Sequence, residues 1–194
     1  VDKVSIGDTV AAFDRPEALP TIEIDEPTVK MTFGVNTSPF MGREGTHCTS
    51  RALYKRLREE LRTNVSLRVE TTSSPDRFLV SGRGELQLAI LVETLRREQF
   101  ELQVSKPEAV MKYVDGRLHE PYEDLIINTA EEHIGLLTEN LSARLAQLTG
   151  MTYDGSGNVR IECEIPTRGL IGFGSFFSRV ARGNGTKDNI FTGY

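Results

Sequence analysis

The feature that most constrains the fold of this chain is an order of strand-like and helix-like segments that occurs twice. Residues 28–36 alternate apolar and polar side chains, as a half-buried strand does. A helix follows in which Leu53, Leu57 and Leu61 recur every four residues. Two strands, a second helix and a fourth strand complete the first copy, near residues 65–69, 77–81, 85–99 and 100–104. This β-α-β-β-α-β order predicts a ferredoxin-like plait.

The second copy begins with β-like residues at 110–129, around an Asp115-Gly116 hairpin turn. An apolar stripe from Ile134 to Leu148 predicts a helix, which Gly150 can end. Two strands, a short helix and a last strand follow, near residues 151–153, 158–165, 175–182 and 190–194. The predicted fold class is therefore α+β, with two consecutive ferredoxin-like plaits.

The composition is that of a globular protein with room for one or two domains, since 38% of its 194 residues are hydrophobic and 26% are charged. No apolar run approaches the ~18 residues of a membrane span, so no membrane partner is predicted. Cys48 and Cys163 lie far apart, which favours two reduced thiols and a cytoplasmic location. The formal charge of −5 argues against nucleic-acid binding by the whole surface, but a local basic face remains compatible with it.

The stretch VSGRGEL at 80–86 places two glycines before an apolar helical run. Gln87 stands where a dinucleotide-binding loop has its third glycine, and the Gly-Lys-Ser/Thr ending of an NTPase loop is absent. We therefore predict a structural joint. Gly82 and Gly84 would supply positive φ angles, and Glu85 would be favoured by the helix dipole.

Catalytic and metal-binding patterns are sparse in this sequence. None of the three histidines has a cysteine or a second histidine at zinc-ligand spacing. Neither a G-x-S-x-G elbow nor an HExxH motif occurs. The sequence predicts no catalytic residue and no metal site.

The segment from Ile165 to Lys187 contains no acidic residue, whereas it contains four basic ones, Arg168, Arg179, Arg182 and Lys187. Its glycines can expose backbone N–H groups, which together with guanidinium groups suit phosphates. The alternative is that Arg179 and Arg182 complement a helix C-terminus while the interleaved phenylalanines belong to the core. A second basic run on the first helix, including Arg51 and Arg62, is interrupted by acids and is typical of a solvated face.

Four stretches, at 5–29, 35–45, 81–102 and 165–173, resemble the BipA (TypA) family of elongation-factor-G-like translational GTPases, and the resemblance covers nearly the whole chain. It implies that residues 1–26 are the end of a β-barrel domain II and a linker. Residues 27–105 and 106–194 would be the plaits called domains III and V.

The resemblance implies a non-catalytic, ribosome-binding portion of a GTPase that acts in ribosome assembly, translation and the stress response. GTP and Mg²⁺ are expected only in a G domain outside this chain, so no cofactor is expected here. The implied partners are large-subunit ribosomal RNA and stalk-base protein, met by a cytoplasmic monomer. The implied contact residues are Arg168, Gly169, Phe173, Arg179 and Arg182. Lys187 is added to them because it is a basic residue of the same acid-free segment. Gly174 stands where the family has an arginine, which removes one phosphate contact.

Two other functions are compatible with plaits. A tandem regulatory module of the ACT type would bind a small ligand at its glycine loops. An acylphosphatase-like enzyme would use an arginine and an asparagine near the loop after the first strand, where this chain has Arg43 and Asn36. The loop lacks the compact arginine-containing sequence of that enzyme family.

Overall fold

A computed structural model describes residues 6–20 and 26–194 of the chain. The chain divides into two compact units, Val1–Lys106 and Pro107–Tyr194. The expectation that residues 1–26 end a barrel domain falls partly outside the described residues. Residues 6–20 are exposed, and their backbone pairs at an isolated bridge between Ala12 and Arg15.

The first unit is a ferredoxin-like plait, as predicted. Its four strands form an antiparallel sheet in the order β2-β3-β1-β4, and its two helices bury their apolar stripes against the sheet. The elements are β1 (Val29–Val35), α1 (Ser50–Glu60), β2 (Arg68–Thr71), β3 (Arg77–Gly82), α2 (Glu85–Arg97) and β4 (Leu102–Val104).

The core of the first unit follows from the two periodicities in its sequence. Leu53 and Leu57 lie four residues apart on α1 and are buried against the inward residues of the strands, such as Phe33 and Val80. Thr49 caps α1, because its side chain accepts a hydrogen bond from the backbone N–H of Ala52 at 3.3 Å.

The second unit repeats the plait after a two-stranded hairpin. Its sheet has the order β11-β8-β10-β9, again antiparallel throughout. The strands are β5 (Glu108–Ala109), β6 (Lys112–Val114), β7 (Arg117–His119), β8 (Tyr122–Ala130), β9 (Gln147–Tyr153), β10 (Asn158–Pro166) and β11 (Gly185–Gly193). The helices are a 3₁₀ turn (Glu131–His133), α3 (Ile134–Ala143), α4 (Thr167–Leu170) and α5 (Phe173–Ala181). Asp115 and Gly116 form the predicted hairpin turn between β6 and β7.

The predicted end of the third helix is wrong. The helix stops at Ala143, because Leu145 adopts a left-handed conformation with φ +65° and the chain turns into β9. Leu148 and Gly150 lie in that strand, where the Leu148 side chain is 55% exposed. Leu145 and Leu148 therefore follow the apolar spacing of the helix in sequence but lie outside the helix.

The glycine joint after β3 is structural, but its predicted cause is wrong. Gly84 precedes α2 with an extended backbone at φ −177°, and Gly82 is likewise not left-handed. Glu85 is the first residue of the helix, as predicted.

Gly82 is needed for close approach. A Cβ there would lie 2.6 Å from Oε1 of Gln87, which accepts a hydrogen bond from the Arg83 N–H at 2.8 Å. The Gln87 amide also donates to Asn64 and Ser66, so the side chain has little room to move.

None of the helices over 6–20 and 26–194 is long and apolar enough to cross a membrane.

Candidate nucleic-acid interface

The acid-free segment begins at the end of strand β10 and supplies α4, α5 and the first three residues of the edge strand β11. Gly172, at φ +75°, turns the chain between the two helices and precedes α5. A left-handed residue favours glycine at this position. Gly185 starts β11 directly beneath α5, since a Cβ there would lie 2.9 Å from both the Asn128 carbonyl oxygen and the Phe177 ring.

Arg144 fixes the loop between α4 and α5. Its Nη1 donates to the carbonyl oxygens of Gly169 at 2.6 Å and Ile171 at 2.9 Å, while its Nε donates to Asn140 at 2.8 Å. The guanidinium also lies over the ring of Phe173, 5.6 Å from its centroid. This residue was missed in the sequence, because nothing local to position 144 indicates carbonyl partners at 169 and 171.

Gly169 is buried and allows this contact. A Cβ at that position would lie 2.7 Å from the Arg144 carbonyl oxygen and 3.0 Å from Ile165. The residue thus belongs to the support of the loop, and its side-chain position faces the protein rather than a ligand.

Phe173 is also part of the support, which corrects the expectation that it contacts RNA. Its ring is fully buried, together with Phe177 on the same face of α5. The alternative considered for the phenylalanines, that they belong to the core, is correct for these two. Phe173 therefore stabilises the second unit instead of forming a stacking platform for a base.

Arg168 is exposed on α4 and forms a two-point ion pair with Glu120. Its Nε donates to Oε2 at 2.5 Å and its Nη2 donates to Oε1 at 3.2 Å. These hydrogen bonds raise the pKa of the Arg168 guanidinium above its usual range. The side chain remains 52% exposed, so a phosphate can reach it from solvent.

Arg179 and Arg182 are exposed around the end of α5. Arg182 follows the helix in a left-handed conformation with φ +49°. Within the described part of the chain no carboxylate pairs with either guanidinium. Both lie where a helix C-terminus favours positive charge, so dipole complementation and anion contact are compatible roles for them.

Lys187 lies on β11 opposite Ile127, on the helix-covered face of the sheet, and its Nζ donates to Asn189 at 3.3 Å. Asn189 in turn donates to the buried carboxylate of Glu123, which also accepts from the hydroxyl of Thr167 at 2.7 Å. The sequence did not indicate this network. It ties the start of α4 to the edge strand and so positions both ends of the basic segment.

The loop after β1 has the residues of the acylphosphatase alternative, but they are engaged in contacts within the loop. The carboxylate of Glu101 accepts hydrogen bonds from the backbone N–H groups of Gly42 and Glu44 and from the Asn36 amide. The Arg43 guanidinium stacks on the Phe40 ring. The Asn36 amide and the backbone N–H groups that would hold a phosphate in such an enzyme are therefore already bonded to Glu101.

In the described ranges no three histidine, cysteine, aspartate or glutamate side chains are grouped closely enough to hold a metal ion. Cys163 is buried in the second core, and this burial, with a contribution from Asp124, raises the pKa of its thiol to about 11. A thiol with so high a pKa is a poor nucleophile at neutral pH.

A family model and a solved structure first show which class of protein this chain is similar to. Residues 117–194 match the family model described as "Elongation factor G C-terminus". A crystal structure of a Thermus thermophilus protein shares the fold, with a TM-score of 0.54 and 14% identity over 92% of this chain and 42% of that one.

The particular family follows from the curated relatives. The chain is 47% identical over 194 residues to "Large ribosomal subunit assembly factor BipA" of Bacillus subtilis (strain 168). It is 48% identical over 192 residues to the protein of the same name in Escherichia coli (strain K12). These matches cover 100% and 99% of this chain, and the chain spans 32% of the length of each relative. The chain belongs to the BipA family.

Proposed function

We propose that this chain is a ribosome-binding portion of a BipA-type factor that acts in assembly of the large ribosomal subunit, in translation and in the stress response. The observation that carries the proposal is the identity of 47% along the entire chain to a large ribosomal subunit assembly factor. We further propose that residues 1–26, 27–105 and 106–194 correspond to the end of domain II, domain III and domain V of that factor.

The chemistry of GTP hydrolysis is assigned to a G domain outside these residues. GTP and Mg²⁺ would bind there, and this chain would contribute affinity and geometry as a cytoplasmic monomer without a cofactor of its own. Linked domains gain from effective concentration, so modest affinity in this portion would add strongly to the whole.

The surface we propose for ribosomal RNA is formed by the exposed guanidiniums of Arg168, Arg179 and Arg182, together with Lys187 on β11. Support comes from the acid-free run between residues 165 and 187 and from the exposure of the three arginines. Phosphates bind such groups through charge-assisted hydrogen bonds that release counter-ions, so binding would weaken as salt rises. The stalk-base protein is the second partner that we propose for this part of the factor.

Glu120 competes with phosphate for Arg168. An exposed ion pair contributes about 0–1 kcal/mol, because water and salt screen it and because two side chains lose freedom. A phosphodiester of RNA also carries one negative charge and two oxygens that can accept a two-point hydrogen bond, so it can replace the Glu120 carboxylate at the guanidinium when neighbouring phosphates bind the other basic residues.

The test is co-sedimentation of the chain with purified large ribosomal subunits at low and moderate salt. We expect salt-sensitive binding that the double variant Arg168→Glu/Arg179→Glu reduces at least tenfold. The matched control is Arg51→Glu/Arg62→Glu, which makes the same change of charge at two exposed positions, one on α1 and one in the turn that follows it. Equal loss in both double variants would show a non-specific charge effect. Full binding by the first variant would overturn the proposed surface.

A further inference from the structure

The loop between β1 and α1 is held rigid by one carboxylate. Glu101 accepts hydrogen bonds from the N–H groups of Glu44 at 2.6 Å, Gly42 at 2.8 Å and Gly45 at 3.1 Å. The amide of Asn36 adds a fourth donor at 3.1 Å. Four donors on one carboxylate hold the loop at its start, through Asn36, and in its middle, through the backbone of residues 42–45.

The tip of this rigid loop exposes apolar side chains. Phe40 is 59% exposed and Met41 is 53% exposed. The guanidinium of Arg43 lies over the Phe40 ring, 4.6 Å from its centroid. An aromatic ring and a guanidinium stacked on a pre-organised loop offer a stacking surface and a phosphate contact at little entropic cost on binding.

A cavity of about 620 Å³ lies beside the tip and adds two more guanidiniums. Arg96 and Arg97, at the end of α2, share the carboxylate of Glu93 at 3.3 and 3.0 Å. Their side chains are 68% and 78% exposed, so these ion pairs are weak and open to exchange with a ligand. Phe100 contributes a second aromatic ring to the same cavity.

Three guanidiniums and three carboxylates line the cavity, and Arg96 and Arg97 are more exposed than Glu93, the partner that they share. Of its three carboxylates, Glu101 is saturated by backbone and amide donors, and Glu93 is shared between two arginines. Glu44 lies on the rim and carries no such neutralising contact among the described residues. Three guanidiniums and two aromatic rings fit the phosphates and bases of an unpaired strand.

We propose that this loop and cavity bind a short segment of single-stranded RNA, with a base stacked on Phe40 and phosphates held by Arg43, Arg96 and Arg97. This site lies in the first unit and uses none of the residues assigned to the interface on α4 and α5. It therefore stands or falls independently of that interface.

The test measures the anisotropy of fluorescein-labelled decauridylate titrated with the 194-residue chain at low salt. We expect Phe40→Ala to weaken binding about tenfold, the usual loss for one stacked base. Arg43→Ala should lower the slope of affinity against salt by about one. Leu86→Ala is the control, because Leu86 is 71% exposed on α2 of the same unit. Equal affinity for Phe40→Ala and Leu86→Ala overturns the proposal.

A second measurement locates the contact directly. Decauridylate carrying 4-thiouridine is cross-linked to the chain by light, and trypsin then releases residues 31–43 as one peptide containing Phe40. We expect cross-links within 31–43 that persist in the Arg168→Glu/Arg179→Glu variant. Cross-links confined to 107–194 overturn the site.

Discussion

Arg168 donates two hydrogen bonds to Glu120, with its Nε 2.5 Å from Oε2 and its Nη2 3.2 Å from Oε1. The carboxylate thus occupies the part of the guanidinium that a phosphate would use. The two residues are 48 positions apart in sequence, so the pairing comes from the fold.

Removing this competitor should strengthen RNA binding. We predict that Glu120→Gln raises affinity for large ribosomal subunits about threefold to fivefold at low salt, as expected for an exposed pair of at most about 1 kcal/mol. Co-sedimentation measures the effect. Glu162→Gln is the control, because Glu162 pairs in a similar way with Arg160 on β10. A lower affinity for Glu120→Gln would mean that the pair positions Arg168 for binding.

Arg144 should contribute strongly to the stability of the second unit. We predict that Arg144→Met lowers the free energy of unfolding by about 2–3 kcal/mol, because it leaves two carbonyl oxygens without their charged donor. Amide exchange at residues 169–172 should rise with it. Arg179→Met is the matched control, since Arg179 is exposed, and should change stability by less than about 0.5 kcal/mol. Urea unfolding and hydrogen exchange provide the measurements.

Substitutions at Gly82 and Gly84 can show whether a glycine is needed there because the chain packs closely against Gln87 or because the backbone conformation requires it. We predict that Gly82→Ala destabilises the first unit by about 1–3 kcal/mol, because the new Cβ would lie 2.6 Å from Gln87 Oε1. Gly84→Ala should be nearly neutral, because a Cβ there meets nothing within 4 Å and the backbone is extended. Thermal unfolding of the two variants decides the matter. Equal losses would restore the interpretation that both glycines serve the turn.

Glu101 should make the loop after β1 sensitive to strong acid. Hydrogen bonds, led by that from the Glu44 N–H, lower its pKa from 4.5 to about 2. A lowered native pKa stabilises the fold above pH 4.5, and this stabilisation is lost as the pH falls towards 2. The difference in urea midpoint between the wild type and Glu101→Gln should therefore be constant above about pH 5 and shrink as the pH falls from there towards the native pKa. Glu44→Gln serves as the control for the same loss of charge.

The order of elements in both plaits was predictable from the spacing of apolar residues, which recur every second residue in a strand and every three or four residues in a helix. Strand β1 buries Val29, Phe33 and Val35, as its alternation indicates. The period failed at α3, where Leu145 and Leu148 continue the helical spacing across a chain reversal. Side-chain spacing does not report backbone dihedral angles, and so the helix end was missed.

The candidate interface was predictable in its charge but not in its support. The acid-free run identified exposed arginines, whereas Phe173 was expected to contact RNA and a place in the core was only the alternative for it and Phe177. Their spacing of four residues, continued by Ala181, is the pattern of a buried helix face and was a usable signal. The bonds of Arg144 to the loop carbonyl groups and of Glu101 to the loop after β1 join residues 25 to 65 positions apart, and no local pattern encodes such pairs.

The Glu101 carboxylate also has an evolutionary consequence. The loop after β1 already contains an arginine, Arg43, but the loop's backbone N–H groups are bonded to Glu101 and cannot bind a phosphate at the same time. To free these N–H groups for a phosphate, Glu101 would have to be replaced by a residue without a carboxylate. That substitution would loosen the loop before any new activity could be selected. The same carboxylate that holds this loop rigid thus occupies the N–H groups that a bound phosphate would need.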